Sequence, residues 1–333
     1  MGLGTIHYIP FYPEKDRESF IECFNEILDQ GYDILELHTT SWKSLLVEEL
    51  AKERGIKRVI VHAHAASINL GINDVGRIGY QEALDLHNRI RNDLSENIAT
   101  DFWACSKKAS QWLFGDKIPE SKIEIINNPI NVEEFGYSGK KRELLRKEKK
   151  VENMFVLGFV GRLEKVKNAE YAIKIAKKLH AIYPKIVLYI IGEGTQREEL
   201  VEKYRPLIDK QIISFEGYKK NVCDYYHIFD VLLVPSYSEG LPIALIEAQA
   251  TGLKCLCSEG VPEEVDISGN VTRLSLYNES KWVNEIQKLL AGYNRTDMKD
   301  KIIKAGLDME SQVNRIERLY LEETDNQYNR TSV

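Results

Sequence analysis

Short apolar runs rich in β-branched residues recur along the chain. Each gives way to a polar turn and then to a stretch whose apolar positions return every three or four residues. The first pattern predicts strands and the second helices. In the first part of the chain strands are predicted at Thr5–Pro10, Asp33–His38, Arg58–His64, Asp101–Ser106 and Ile123–Asn127, with helices over Asp16–Asp29, Ser41–Glu53 and Tyr80–Ile98. In the second part strands are predicted at Phe155–Gly161, Ile186–Gly192, Ile212–Gly217, Val231–Pro235 and Leu253–Ser258. Helices fall at Asn168–Tyr183, Gln196–Tyr204, Val222–Phe229, Pro242–Ala250 and Ser280–Ala291. Alternation of this kind predicts α/β architecture with largely parallel sheets, and the run of βα units in the second half predicts a doubly wound domain.

Between the halves lies GKKRELLRKEKKVEN, Gly139–Asn153, polar and strongly basic. It predicts domains over about 1–150 and 151–320, with a tail at 321–333. Seven Lys/Arg fall within the eleven residues 140–150. One reading is peripheral contact with an anionic membrane surface, where each basic residue contributes about 1 kcal/mol. The other is a solvated linker helix in which Glu143 and Glu148 balance part of the charge.

Composition narrows the class. A chain of 333 residues with 43% apolar residues has enough material for two packed cores. A net charge of -6 argues against a general nucleic-acid binder. No apolar stretch reaches the ~18–20 residues that span a bilayer. The start, MGLGTIHYIPFYPEK, lacks the features of a secretory signal. The expected location is therefore cytoplasmic. The cysteines (Cys23, Cys105, Cys223, Cys255, Cys257) show no CxxC spacing and the seven His show no HExxH, so no metal is expected. Cys255 and Cys257 read as small core residues on one face of a strand.

The most informative segment is VLLVPSYSEGLPIALIEAQATG, Val231–Gly252. A buried strand ends at Pro235, and a helix starts near Pro242, where proline suits the first turn. That helix start lies at the carboxyl end of a parallel strand, where its free N–H groups and positive dipole end suit a phosphate or sugar hydroxyls. Glu239 precedes the helix. Glu247, on an otherwise apolar helix, suits paired ribose hydroxyls, since a carboxylate accepts two hydrogen bonds. Upstream, GRLEKVKN reads by itself as a charged turn, and VIVHAHAAS puts His62 and His64 on one face at a strand end.

The segment EGLPIALIE carries the E-x7-E pattern, and Phe229–Gly252 as a whole resembles the retaining glycosyltransferases of family 4. GFVGRLEKVKN (Gly158–Asn168) is similar to that family's G-R-x4-K-[GN] element, IGEGTQREEL to its G-x-G-x4-L turn, and ISFEGYKKNV to its F-x-G loop. The resemblance runs from about Asp33 to Tyr320 and is nearest to bacterial capsular and exopolysaccharide enzymes. It implies the GT-B fold, with two Rossmann-like doubly wound domains facing a cleft. It further implies transfer of a hexose from a nucleotide-sugar donor, with retention and without a metal or other cofactor, to a saccharide or lipid-linked saccharide acceptor. Arg162 and Lys167 are implied to hold the donor diphosphate, a fork and a point charge respectively. Glu239, with the N–H groups of Gly240 and Leu241, is implied to hold the transferred sugar, and Glu247 the ribose. Phe215, Gly217 and Tyr218 are implied to flank the base. His64, with His62 as the fallback, corresponds to the family's catalytic-side imidazole.

The family usually opens with a strand, a glycine-rich loop and a long helix, whereas GTIHYIPFYPEK resembles a later strand. The expectation is a shortened N-terminal domain. Two other functions fit the same residues: a catalytically silent nucleotide-sugar-binding relative, and a nucleotide-sugar epimerase.

Overall fold

The computed structural model describes residues 4–68 and 79–328, with side chains through 321. Two compact units divide at Ile126/Asn127. The first holds α1 (Arg17–Leu28), β1 (Ile34–Thr39), α2 (Leu46–Glu53), β2 (Arg58–Ala63), α3 (Tyr80–Asn92), β3 (Asp101–Ala104), α4 (Lys107–Phe114) and β4 (Ile123–Ile125). Its strands form one parallel sheet in chain order, with His38 of β1 beside His62 of β2. Phe20, Phe24 and Leu28 of α1 pack on Leu46 and Leu50 of α2.

The strand predicted at Thr5–Pro10 is absent: residues 4–10 are coil. Alternation there does not mark a sheet face. Ile6 and Tyr8 stand exposed, while Ile9 and Phe11 cover the contact of α1 with α2.

The second unit holds α5 (Gly139–Glu148), β5 (Phe155–Val160), α6 (Ala169–Ile182), β6 (Ile186–Ile191), α7 (Arg197–Lys203), α8 (Arg205–Asp209), β7 (Ile213–Gly217), α9 (Val222–Ile228), β8 (Val231–Val234), α10 (Ile243–Ala250), β9 (Lys254–Ser258), β10 (Val271–Leu274), α11 (Glu279–Leu289), α12 (Lys299–Lys304) and α13 (Met309–Tyr328). All six strands are parallel, in the order β10-β9-β8-β5-β6-β7. The chain builds outward through β6 and β7, then returns to place β8 on the other side of β5. The topological switch point thus lies between β5 and β8, and loops leaving their carboxyl ends are neighbours.

The basic segment belongs wholly to this second unit, earlier than the expected boundary at 150/151. Arg142 and Arg146 are responsible. Arg142 donates to the carbonyls of His227, Ile228 and Phe229, and Arg146 to those of Ile228, Val151 and Met154. Both also pair with Asp230. Lys141 pairs with Asp224 at 2.7 Å and Lys149 with Glu216 at 3.2 Å. Four of the seven cations are thus committed to the unit's own surface rather than to a free basic face. No helix among the described residues is long and apolar enough to cross a membrane.

Near the C-terminus, two helices, α12 and α13, follow one another. Gly306, at φ +67°, ends the first. Ile130 then inserts between them, accepting from Met309 N–H at 3.1 Å and donating to Leu307 O at 2.9 Å. The second helix continues through 321, where a tail was predicted, to 328; residues 329–333 lie outside the described residues. Cys255 and Cys257 are buried core residues and carry no disulfide.

Candidate functional site

The loops after β5 and β8 are bonded to each other. Tyr237 N–H donates to Val166 O at 2.8 Å, and Asn168 Nδ2 donates to Pro235 O at 3.1 Å. Those two bonds flank Lys167, whose Nζ lies 2.8 and 2.7 Å from the two carboxylate oxygens of Glu239. Ser236 Oγ donates to the same carboxylate at 2.6 Å. Glu239 is 7% exposed, so its charge is met inside the protein by one cation and one hydroxyl.

Two glycines let the loops after β9 and β6 close onto this pair. A Cβ on Gly260 would lie 2.3 Å from Tyr237 O, and Glu239 N–H donates to Gly260 O at 3.1 Å. A Cβ on Gly194 would meet the backbone of Leu163 at 2.6 Å, and Leu163 N–H donates to Glu193 O at 2.8 Å. Substitution at either position would drive the loops apart. Arg162, between Gly161 and Leu163, is exposed and has no hydrogen-bond or ion-pair partner among the described residues.

The helix α10 begins just beyond Glu239, at Ile243, with no side-chain cap. Its uncapped start lies at the carboxyl end of β8, beside Gly240 and Leu241, and its dipole favours an anion there. Further along the same helix, Glu247 Oε2 accepts from the buried Tyr226 OH at 2.6 Å. Burial pushes the Glu247 carboxyl up, the Tyr226 hydrogen bond pulls it down, and the Glu134 charge pushes it up again.

Glu247 lines a cavity of ≈ 360 Å³ together with Asn131, Glu134, Lys220, Asn221 and Val222. It opens at the starts of α9 and α10, on the side of the strands' carboxyl ends. A larger cavity of ≈ 480 Å³ lies at the amino ends of β5 and β8, around Asp230 and Arg295. There Arg295 is bound to the Thr251, Phe229 and Tyr226 carbonyls, and the smaller cavity, at the strands' carboxyl ends, is the ligand candidate.

The expected base-flanking residues are placed unevenly. Gly217 is buried, and a Cβ there would lie 2.8 Å from Glu193 Oε1. Phe215 packs partly buried on the β5–β6 core, and Tyr218 is 76% exposed. None of the three lines the cavity, whose wall comes from the residues immediately after them. Tyr226, Ser236 and Lys220 are the site residues that sequence reasoning missed.

In the first unit, β1 and β2 present Glu36, His38, His62 and His64 together. His38 Nδ1 lies 2.7 Å from His64 Nε2, and His62 Nδ1 lies 2.9 Å from Glu36 Oε1. Burial, then the neighbouring His62 and His38, hold His64 down at about 4. The histidines that look scattered in the sequence are gathered by the β1–β2 register.

The family model "Glycosyl transferases group 1" matches residues 140–324. The chain is 27% identical over 334 residues to the EpsF protein of Bacillus subtilis (strain 168), covering 98% of this chain and 85% of that one. It is 26% identical over 318 residues to the UDP-Gal:alpha-D-GlcNAc-diphosphoundecaprenol alpha-1,3-galactosyltransferase of Escherichia coli, covering 89% and 80% respectively. Among solved structures it resembles Anabaena Alr3699/HepE in complex with UDP, with a TM-score of 0.70 at 16% identity, covering 90% of this chain and 82% of that one.

Proposed function

The chain belongs to the group 1 glycosyl transferases, with two Rossmann-like units of the GT-B class, and from that premise we propose that it moves a hexose from a uridine diphosphate sugar onto a lipid-linked saccharide. The product would serve surface polysaccharide assembly. Uridine is the base carried by the Escherichia coli relative's donor and by the Anabaena complex, and a diphospholipid-linked sugar is that relative's acceptor. The observation that carries the reading is the meeting of Lys167 and Glu239 at the switch point beside an uncapped helix start.

The chemistry follows from charge. Departure of the nucleotide leaves negative charge on the diphosphate. The Arg162 fork, the Lys167 ammonium and the α10 start are positive groups set in advance to receive it. With those three in place the donor needs no divalent ion and no further cofactor. Glu239 turns from Lys167 and Ser236 towards the sugar hydroxyls, aided by the N–H groups of Gly240 and Leu241, and Glu247 accepts from the ribose. No side chain is assigned as a nucleophile. Leaving-group departure and acceptor attack on the same face of the sugar give retention, and His64 is the acceptor-side imidazole. Location at the cytoplasmic side of a membrane is part of the same reading, since a lipid-linked acceptor is held there.

A panel of nucleotide sugars screened by thermal shift tests the proposal. A true donor at 100 times its Kd stabilises by about 2.7 kcal/mol. UDP-sugars are expected to raise the midpoint. A panel in which none does overturns the reading, and conversion of a donor without acceptor would favour an epimerase instead.

A further inference from the structure

The first unit carries a side-chain cluster that the transfer reading does not account for. His38, His62 and His64 bring one imidazole nitrogen each to within 4.8 Å of the others, the only such group of three His, Cys, Asp or Glu among the described residues. Their origin is simple geometry. Glu36 and His38 alternate on β1, His62 and His64 alternate at the end of β2, and the parallel register sets His38 beside His62. The ring centroids stand 5.2, 5.0 and 4.2 Å apart.

The carboxylate behind them fixes the buried ring. Glu36 Oε1 lies 2.9 Å from His62 Nδ1 and 3.6 Å from His38 Nε2. The shorter contact orients the His62 ring and leaves its Nε2 on the side away from Glu36, while His38 Nδ1 meets His64 Nε2 at 2.7 Å. His62 is 5% exposed, and its Nε2 has no hydrogen-bond partner among the described residues. A buried acceptor without a partner is costly and calls for a ligand. Trp103 holds the His62 ring edge-on at 5.8 Å, so that nitrogen cannot swing out easily.

We propose that His38 Nδ1, His62 Nε2 and His64 Nε2 form a tridentate site for a divalent transition metal, with zinc the best match. Three neutral imidazoles with an open fourth position are a zinc donor set, and Glu36 supplies the outer carboxylate that such sites use to fix ring orientation. Bond lengths of about 2.0–2.1 Å require nitrogens about 3.3 Å apart, so the His38–His64 pair, now 2.7 Å apart, opens slightly while His62 closes in. The protons balance. With Nε2–H of His38 facing Glu36, the 2.7 Å contact is His64 Nε2–H donating to His38 Nδ1. On binding, that proton moves to His64 Nδ1, and no net charge is lost. His38 is exposed and provides the entry route.

The site is independent of the donor residues in the second unit. It does bear on His64: coordination through Nε2 occupies the lone pair of a catalytic imidazole. The test is therefore binding, not turnover. The chelator-stripped full chain is titrated with Zn²⁺ by calorimetry and with Co²⁺ by visible absorption. One saturating equivalent is expected, with the cobalt bands of a tetrahedral site. His38→Gln and His64→Gln should weaken binding by at least about 100-fold, and Glu36→Gln by about 10–100-fold. His38 is at the surface, so its variant keeps its fold, which circular dichroism checks. Lack of saturable binding, or unchanged affinity in both histidine variants, overturns the site. Transfer by the zinc-loaded protein then judges the role of His64 separately: undiminished turnover removes His64 from the mechanism and leaves the metal site standing.

Discussion

Tyr226 OH donates to Glu247 Oε2 at 2.6 Å, joining residues 21 apart in sequence and two helices in space. The bond holds the carboxylate at the wall of the ≈ 360 Å³ cavity and favours its ionised form against burial. Ribose hydroxyls need that ionised form as acceptor. UDP affinity should therefore rise with pH through the raised Glu247 pKa. Tyr226→Phe removes the lowering influence, moving the rise to higher pH and weakening binding at neutral pH. Calorimetric titration of UDP across a pH series checks this; identical profiles for parent and variant would sink the role given to Glu247.

Among the described residues Lys167 is the one cation on the buried Glu239, so its removal has two effects. Lys167→Ala should lower UDP affinity by about 1.5–3 kcal/mol, the range for hydrogen bonds to charged groups, while uridine affinity barely changes. It should also lower the thermal midpoint, because among the described residues the Glu239 carboxylate then keeps only Ser236 as a partner. A diphosphate affinity that survives the substitution would count against the switch point as the donor site.

Arg162 provides the contrast. It is exposed and unpartnered among the described residues, so the folded state owes it nothing measurable. Arg162→Ala should leave the thermal midpoint within the experimental error and still weaken UDP by about 1.5–3 kcal/mol. Loss of stability with intact diphosphate affinity is the opposite outcome and would assign Arg162 a structural role. Addition of a chelator should leave the UDP affinity of the parent unchanged, since the charges are met by side chains.

What the sequence revealed divides by range. GRLEKVKN and SYSEGLP each sit at a strand–helix junction, so local pattern alone puts Lys167 and Glu239 at strand carboxyl ends. That they touch depends on β5 lying beside β8, which chain order does not state. Tyr226 carries no local mark of its bond to Glu247. The boundary before 150 was obscured because Arg142 and Arg146 are bound to carbonyls more than 80 residues away. Alternation in ELH and HAH gives each pair a face, and only the His38–His62 register joins them. The β10 strand (Val271–Leu274) was missed because VTRL is half polar at a sheet edge.

Glu48 gives the first unit a pH signature of its own. It lies on α2, is fully buried, and neither carboxyl oxygen has a hydrogen-bonding partner on another residue among the described residues. Burial pushes its pKa from 4.5 up to about 7, against the pull of its own backbone N–H and with a smaller push from the charge of Glu49. Between those values the folded protein keeps a proton that the unfolded chain has shed. Stability therefore falls as pH rises across the window, and the loss is complete above about 7. The size is about 3 kcal/mol at 1.36 kcal/mol per pKa unit. Glu48→Gln removes this contribution without changing the shape of the side chain. Relative to the parent, its thermal midpoint should be similar near pH 4.5, gain steadily up to pH 7, and stay higher at pH 8. A difference that does not grow with pH would mean that Glu48 finds solvent or a cation when it ionises, and that α2 is less tightly packed than its burial implies.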